Sequence, residues 1–128
     1  MKILGNGVDI VENSRIKRLI SNKKFIQRIY SRSEIKVSKK VINKESYFAK
    51  RFAAKEAFVK SLGTGFRNGI NFKDISVSNT SYGKPKIILN SRIKKFIVKK
   101  FKLNKFKIFL SLSDEKKYSI AFVIINKN

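Results

Sequence analysis

Two charged residues, Glu56 and Lys60, extend a row of aromatic side chains along one predicted helix. Phe48, Phe52, Glu56 and Lys60 follow one another at four-residue spacing, so a helix carries them on one face. An exposed Glu–Lys pair at this spacing stabilises a helix by only about 0.2–0.5 kcal/mol. Because this carboxylate continues an apolar row, we expect it at the boundary between core and solvent, where it needs a counter-charge or a metal ion.

A second acid in apolar surroundings, Asp9, lies near the N-terminus. The segment 2–11 predicts a short strand, in which Asp9 points to the face opposite its Val and Ile neighbours. Gly5 and Gly7 in the same strand predict a bulge or a close contact with another backbone. An Asp at the junction of a strand and a helix can also be an N-cap, and the local sequence leaves both roles open.

The residue types that the chain lacks narrow its chemistry. The 128 residues include neither Cys nor His, which excludes thiolate and imidazole catalysis and most zinc and iron sites. A bound metal would therefore have oxygen ligands, which favours magnesium, calcium or manganese. No stretch approaches the roughly 20 apolar residues of a membrane span. The segment that begins at Met1 is too short and too polar for a signal peptide.

The net charge of the chain is +23, from 31 basic and 8 acidic residues. A charge of this size indicates an anionic partner but does not choose among a polynucleotide, an acidic protein and a phosphorylated cofactor. The basic residues are mostly Lys and are scattered over every segment. Together with the heavy use of Ile and Asn, this is typical of a coding bias towards A and T as much as of a binding surface.

The apolar pattern predicts a single α+β domain over residues 1–128. Helices are expected at 12–20, 23–30, 31–41, 45–62 and 91–101. Strands are expected at 2–11, 72–79, 84–90, 107–113 and 118–125, in one antiparallel sheet with helices packed against it. Ser31 and Glu34 match a capping box, Ser91 is expected to cap the last helix, and Gly63 suits a left-handed C-cap.

Two further features have both an ordinary and a functional interpretation. The glycine-rich loop 63–69 could bring backbone N–H groups close to a phosphate, although a helix cap followed by a turn explains most of it. The basic side of the early helices is either a solvated face or a docking surface for an acidic protein. Its residues are Arg15, Arg18, Lys23, Lys24 and Arg28.

Three blocks of the sequence resemble the holo-acyl carrier protein synthases, the small bacterial type of 4′-phosphopantetheinyl transferase. The blocks are Gly7-Val-Asp9-Ile-Val-Glu12-x-x-Arg15-Ile, Arg51-Phe-Ala-Ala-Lys-Glu56-Ala-Phe-x-Lys60-x-Leu-Gly63-Thr-Gly65, and Gly83-Lys-Pro85. Their order and spacing agree with the family, and the resemblance covers nearly the whole chain. One position departs from it: the family typically has Ser-x-Ser-His where this chain has Ser111-Leu-Ser113-Asp114. Asp114 is expected either to turn outward or to be offset by lysines such as Lys116.

The resemblance implies a magnesium-dependent reaction. The phosphopantetheine arm of coenzyme A would move to a serine of apo-acyl carrier protein and release adenosine 3′,5′-bisphosphate, in support of fatty acid biosynthesis. It also implies a cytoplasmic homotrimer with active sites at the subunit junctions and without a membrane or nucleic-acid partner. The charge alone supports one alternative, a small basic nucleic-acid-binding protein.

The resemblance also implies a role for each matching residue. Asp9 and Glu56 would bind magnesium, and together with Lys60 they would be the catalytic residues. The residues implied to contact coenzyme A are Lys60, Gly63, Gly65, Lys84, Pro85, Ser111 and Ser113. Those implied to dock the acidic carrier protein are Arg15, Arg18, Lys24 and Arg28.

Overall fold

The computed structural model describes residues 2–67 and 69–128, so Met1 and Asn68, which fall in the N-terminal segment and the glycine-rich loop, lie outside the described residues. The helices are α1 (Asn13–Leu19), α2 (Lys23–Ile29), α3 (Arg32–Ser38), α4 (Lys44–Leu62) and α5 (Ser91–Phe101), with a 3-10 turn at Phe72–Asp74. The strands are β1 (Lys2–Glu12), β2 (Ile75–Asn79), β3 (Pro85–Leu89), β4 (Phe106–Asp114) and β5 (Tyr118–Lys127). None of the helices in this part of the chain is both long enough and apolar enough to cross a bilayer.

The strands form two antiparallel sheets, one of three strands in the order β1-β5-β4 and one made of the β2–β3 hairpin. The α+β prediction is confirmed, but the prediction of one continuous sheet is wrong. Residues 72–74 form a 3-10 turn rather than the start of β2, because the Asp74 carboxylate accepts a hydrogen bond from the Asn71 N–H. β3 and β4 are neighbours without a hydrogen-bonded ladder, and the exposed Lys86 and Lys107 on these strands disfavour edge pairing.

The central helix α4 packs directly against β1 and β5. A Cβ atom on Gly5 or Gly7 would overlap the carbonyl oxygen of Ser61 or Ala57. These two glycines therefore let the strand lie against the helix backbone, which confirms the close contact predicted for them. The short side chain of Ala57, which is fully buried, permits the same approach from the helix side.

Most predicted helix ends are confirmed, and two differ. The Ser31–Glu34 capping box is present, and Gly63 ends α4 with a φ of 75°. Helix α3 ends at Ser38 rather than near residue 41. The Lys44 ammonium donates to the Ser38 carbonyl (2.6 Å), one of the acceptors left without an intrahelical partner at the helix end. The cap of α5 is Asn90 rather than Ser91, since the Asn90 side chain accepts the Ile93 N–H at 3.0 Å.

A fully buried ion pair fixes α4 against its neighbours. Lys55 Nζ lies 2.6 Å from Glu34 Oε1, and both side chains are 0% exposed. The Lys55 ammonium also donates to the carbonyl oxygens of Ile29 (2.7 Å) and Phe72 (3.2 Å). The second Glu34 oxygen accepts the Val77 N–H of β2 at 2.8 Å. The pair therefore joins α3, α4 and β2 to the end of α2 and to the 3-10 turn.

Candidate active site

β1 and α4 bring Asp9, Glu56 and Lys60 to one place. Asp9 points from β1 towards α4 because strand side chains alternate and Gly7, two residues earlier, lies against α4. Lys60 Nζ donates to Asp9 Oδ1 (3.1 Å) and to the Val8 carbonyl (3.0 Å). The Asp9 side chain is 16% exposed and that of Lys60 is 55% exposed.

The exposure of the aromatic–charged row on α4 increases along the helix. Phe48 and Phe52 are buried, Glu56 is partly buried and Lys60 is exposed. This confirms that the Glu56 carboxylate lies at the boundary between core and solvent, as its position in the row predicts.

Each of the two acids is partly desolvated, and they influence each other. Burial raises the pKa of Glu56, the nearby Asp9 carboxylate raises it further, and Lys60 and Arg15 oppose the shift. Burial also raises the pKa of Asp9, against the hydrogen bond from Lys60 and the charge of Arg15. Burial is the largest cause of both shifts, so each carboxylate has lost part of its hydration and is suited to accept a further cation as a ligand.

The donor set of the site fits magnesium better than a metal that needs many protein ligands. Among the described residues, no group of three or more His, Cys, Asp or Glu side chains is placed to hold an ion. The carboxylates of Asp9 and Glu56 are therefore the two ligands that the site offers to a metal ion. Magnesium is commonly bound by one or two carboxylates and completes its coordination with water and substrate phosphate.

Arg15 lies beside the carboxylates as well as on the basic surface. Its guanidinium carbon is 5.7 Å from the centre of the Phe52 ring, one turn of α4 before Glu56. It is followed on α1 and α2 by the other basic residues predicted to dock a carrier protein, Arg18, Lys24 and Arg28, and all four are exposed. The predicted docking surface therefore begins at the edge of the site.

The predicted coenzyme A contacts fall in three places. Gly63 and Gly65 follow α4 directly, three and five residues after Lys60, and have φ values of 75° and 66°. A side chain would be strained in this left-handed conformation, while the space around both residues is open. Lys84 and Pro85 lie at the start of β3, and no described hydrogen bond or ion pair joins them to Asp9 or Glu56.

Ser111 and Ser113 lie on the opposite face of the sheet from Asp9. In β4 the side chains of Leu110 and Leu112 face inward, while the two serines and Phe109 face outward. The paired residues on β5, Phe122 and Ile120, are also exposed. One copy of the chain therefore does not bring these serines to the Asp9–Glu56 pair.

Asp114, which stands where the family typically has His, is held by α4. Its Oδ2 accepts a hydrogen bond from Ser46 Oγ at 2.7 Å, and its Oδ1 lies 3.4 Å from Lys50 Nζ. The Ser46 hydrogen bond, with help from Lys50, holds the pKa of Asp114 below its ordinary value. A lysine does offset Asp114, as one of the two expectations has it, but it is Lys50 of α4 rather than Lys116.

Sequence reasoning missed Lys55, the residue immediately before Glu56. Its neighbours one turn away on α4 include Phe58 and Val59, which are buried. A lysine in such a stripe requires a buried counter-charge, so the pattern did hold a signal. It did not identify Glu34 as the partner, which is 21 residues away in the chain.

Comparison with known proteins identifies the family of the chain. Residues 5–123 match the 4′-phosphopantetheinyl transferase superfamily. The chain is 58% identical to the holo-[acyl-carrier-protein] synthase of Pelagibacter ubique over 99% of each chain, and 49% identical to that of Ehrlichia chaffeensis over 96% of each.

Solved structures of the same group have the same fold. The Neisseria meningitidis holo-[acyl-carrier-protein] synthase superposes with a TM-score of 0.89 at 35% identity, covering 98% of this chain and 100% of that one. The Bacillus anthracis enzyme, in complex with CoA (3′,5′-ADP), gives a TM-score of 0.82 at 33% identity over 98% of each chain.

The fold packs α4 against β1 and places two acids across that contact. Together with the sequence and structure similarities above, these features define one class of protein. The chain belongs to the 4′-phosphopantetheinyl transferase superfamily, and within it to the group of holo-[acyl-carrier-protein] synthases. The family, the fold and the enzyme class predicted from the sequence are confirmed. The relatives thus support the enzyme rather than the nucleic-acid-binding alternative as the function class.

Proposed function

We propose that this chain transfers the 4′-phosphopantetheine group of coenzyme A to a serine of apo-acyl carrier protein. The reaction breaks the pyrophosphate bond of coenzyme A, forms a phosphodiester with the serine oxygen and releases adenosine 3′,5′-bisphosphate. The relative from Pelagibacter ubique is named holo-[acyl-carrier-protein] synthase, and the Helicobacter pylori relative was solved in complex with coenzyme A. The observation that carries the proposal is the convergence of Asp9, Glu56 and Lys60 from two distant segments.

Asp9 and Glu56 are proposed to hold magnesium. Their oxygens are the donors that this ion prefers, and a cation between them would relieve the repulsion from Asp9, which adds to the effect of burial in raising the pKa of Glu56. When bound, magnesium neutralises charge on the pyrophosphate oxygens during transfer.

Lys60 is proposed to contact a phosphate oxygen of coenzyme A. An ammonium group has three N–H donors, and Lys60 directs two of them to Asp9 and to the Val8 carbonyl. The third is available, and the side chain is more than half exposed. Asp9 thus orients the ammonium towards the side from which a substrate can enter.

The serine proton is proposed to leave to an oxygen base. The chain has no His or Cys, so its own candidates at the site are the carboxylates of Asp9 and Glu56.

The outward face of the three-stranded sheet is proposed to join copies of the chain in a homotrimer. Val8, Ile10, Ile120 and Phe122 on this face are 40–59% exposed, and contiguous exposed apolar surface of this kind marks an interaction site. Ser111 and Ser113 lie on the same face. They would reach coenzyme A bound to a neighbouring copy, which reconciles their predicted role with their position.

The basic surface of α1 and α2 is proposed to dock the carrier protein. Its four exposed cations are Arg15, Arg18, Lys24 and Arg28. Charge complementarity of this kind accelerates association with an acidic partner. With acyl carrier protein as the acceptor, the proposed role is in fatty acid biosynthesis in the cytoplasm.

Incubation of the chain with coenzyme A, magnesium and apo-acyl carrier protein tests the proposal. The carrier should gain the mass of phosphopantetheine, and the gain should disappear with a chelator or with Glu56→Gln. Glu45→Gln is the matched control, since Glu45 lies in the first turn of the same helix, and it should retain activity. An unmodified carrier with the unaltered chain, or full activity of Glu56→Gln, would contradict the proposal.

A further inference from the structure

A groove between β3, α5 and β4 has an apolar floor and a basic rim. Its volume is about 820 Å³, within the roughly 300–1,000 Å³ of small-molecule sites. Its apolar side chains include Ile88, Val98, Phe106 and Ile108, and its basic side chains are Lys86, Lys94, Lys105 and Lys107. Asp9, Glu56 and Lys60 do not line it, so the groove is separate from the candidate active site.

One end of the groove continues into a smaller and more polar pocket of about 350 Å³. The two share Asn104 and Lys105. The pocket also has Lys102, Leu103, Lys127 and Asn128 in its wall, so three lysines line a space that is more polar than the groove. Apolar and cationic surfaces are thus arranged end to end.

Among the described residues, the lysines around these two spaces form no ion pair with an Asp or Glu side chain, and Asn128 lies in the walls of both spaces. Residues 75–113 contain no acidic residue, and every basic side chain in this segment is exposed. They are Lys84, Lys86, Arg92, Lys94, Lys95, Lys99, Lys100, Lys102, Lys105 and Lys107. Arg92, which pairs with Asp74, is the only residue of this segment that forms an ion pair among the described residues. An anion at the pocket would therefore meet lysines that no described Asp or Glu side chain pairs with.

We propose that the groove and the adjoining pocket bind an amphiphilic anion with a single alkyl chain, of which an alkyl carboxylate is the simplest case. The chain would lie on the floor near Ile88 and Val98, and the carboxylate would lie beside Lys102 and Lys105. A second copy would cover the apolar floor but would not account for the three lysines of the adjoining pocket. A polynucleotide would use the charge but leaves the apolar floor unexplained. Phe109, at the far side of the groove, also belongs to the face proposed to join copies.

Calorimetric titration with octanoate, decanoate and dodecanoate, each below its micelle-forming concentration, tests the apolar part of the site. Each added methylene buried on the floor should tighten binding by up to about fourfold. Dodecyltrimethylammonium, which has the same chain and the opposite charge, should not bind measurably. Equal affinity for all three carboxylates, or equal affinity for the cation, would overturn the proposal.

Charge reversal tests the cationic part. Lys102→Glu with Lys105→Glu should weaken dodecanoate binding at least about tenfold, and Ile88→Ser, at an exposed position on the floor, should weaken it by removing apolar contact. Lys36→Glu with Lys39→Glu is the matched control, because both residues are exposed on or beside α3 and the change in net charge is the same. The control should bind within twofold of the unaltered chain.

The same titration followed by amide chemical shifts in ¹⁵N-labelled protein locates the ligand. Shifts should concentrate in residues 86–89, 94–98 and 102–108. Equal losses in the two double variants would show a response to net charge alone and would overturn the proposal. So would shifts centred on Asp9 and Glu56, or binding only to anionic vesicles or to a polynucleotide and not to dodecanoate.

Discussion

Glu56 illustrates how one carboxylate can serve function at the expense of stability. Its side chain is partly desolvated and lies near a second acid, Asp9, so that its pKa is raised. Nothing in the folding of α4 requires an acid there, since the row that it continues consists of buried Phe side chains. A residue whose charge is unfavourable in the free protein is expected where a ligand later compensates it.

Replacing Glu56 should therefore stabilise the metal-free protein in a pH-dependent way. A carboxyl group whose pKa is higher in the folded than in the unfolded chain binds more protons when folded, so stability falls as pH rises through that range. Glu56→Gln should have a melting temperature roughly 1–4 °C above that of the unaltered chain at neutral pH, and the difference should disappear as pH falls towards the ordinary value of 4.5.

Thermal melts from pH 4 to 8 in the presence of a chelator measure this difference, and Glu45→Gln is again the control. A difference that is constant with pH, or a Glu56→Gln protein that is less stable at pH 8 than at pH 4 relative to the unaltered chain, would contradict the assigned desolvation.

Two elements, β1 and α4, determine where the candidate active site forms. Gly5 and Gly7 let the strand lie against the helix backbone, and this contact places Asp9 near Glu56 and Lys60. The geometry of the site therefore depends on residues that have no functional groups.

Gly7→Ala should disturb both the fold and the site. The added Cβ overlaps the Ala57 carbonyl oxygen, and an overlap of this kind in a packed core typically costs about 1–3 kcal/mol. Because the strand must move away from α4, magnesium-dependent activity should fall more than stability alone explains. Urea denaturation and transfer assays measure the two effects, with Lys17→Ala on exposed α1 as the control. Unchanged stability would show that β1 and α4 are not in close contact.

The buried Lys55–Glu34 pair holds α4 from the other side. Lys55→Met should destabilise the protein by about 3–5 kcal/mol, because it leaves the Glu34 carboxylate buried without its counter-charge. Combining it with Glu34→Gln should recover part of that loss, since the charge is then removed as well. Chemical denaturation of the two single variants and the double variant measures the coupling. Strictly additive losses would show that the two side chains do not interact.

At the scale of the whole molecule, the apolar outward face of β1, β5 and β4 is the feature that a single copy leaves unexplained. Phe122→Lys places a charge at its centre, where Phe122 pairs with Val8 and Ser111 on the neighbouring strands. We expect this variant to be monomeric by light scattering and to lose transfer activity, while Lys107→Ala remains unchanged. A monomeric but fully active variant would contradict the proposed sharing of sites between copies.

The sequence predicted those parts of this molecule that depend on local pattern. The β1 strand with Asp9, the α4 helix with its Gly63 cap, and the placement of Glu56 at a boundary follow from alternation, helical spacing and backbone preference. Contacts between distant segments were not predictable in this way. The split into two sheets, the Ser46 and Lys50 partners of Asp114, and the outward direction of Ser111 all depend on which strands and helices become neighbours.

The most direct test of the central claim is a crystal structure of the chain with magnesium and coenzyme A. We expect one octahedral ion about 2.0–2.1 Å from an oxygen of Asp9 and of Glu56, with Lys60 in contact with a phosphate of the same coenzyme A molecule. An ion that binds the pyrophosphate while contacting neither carboxylate would contradict the account.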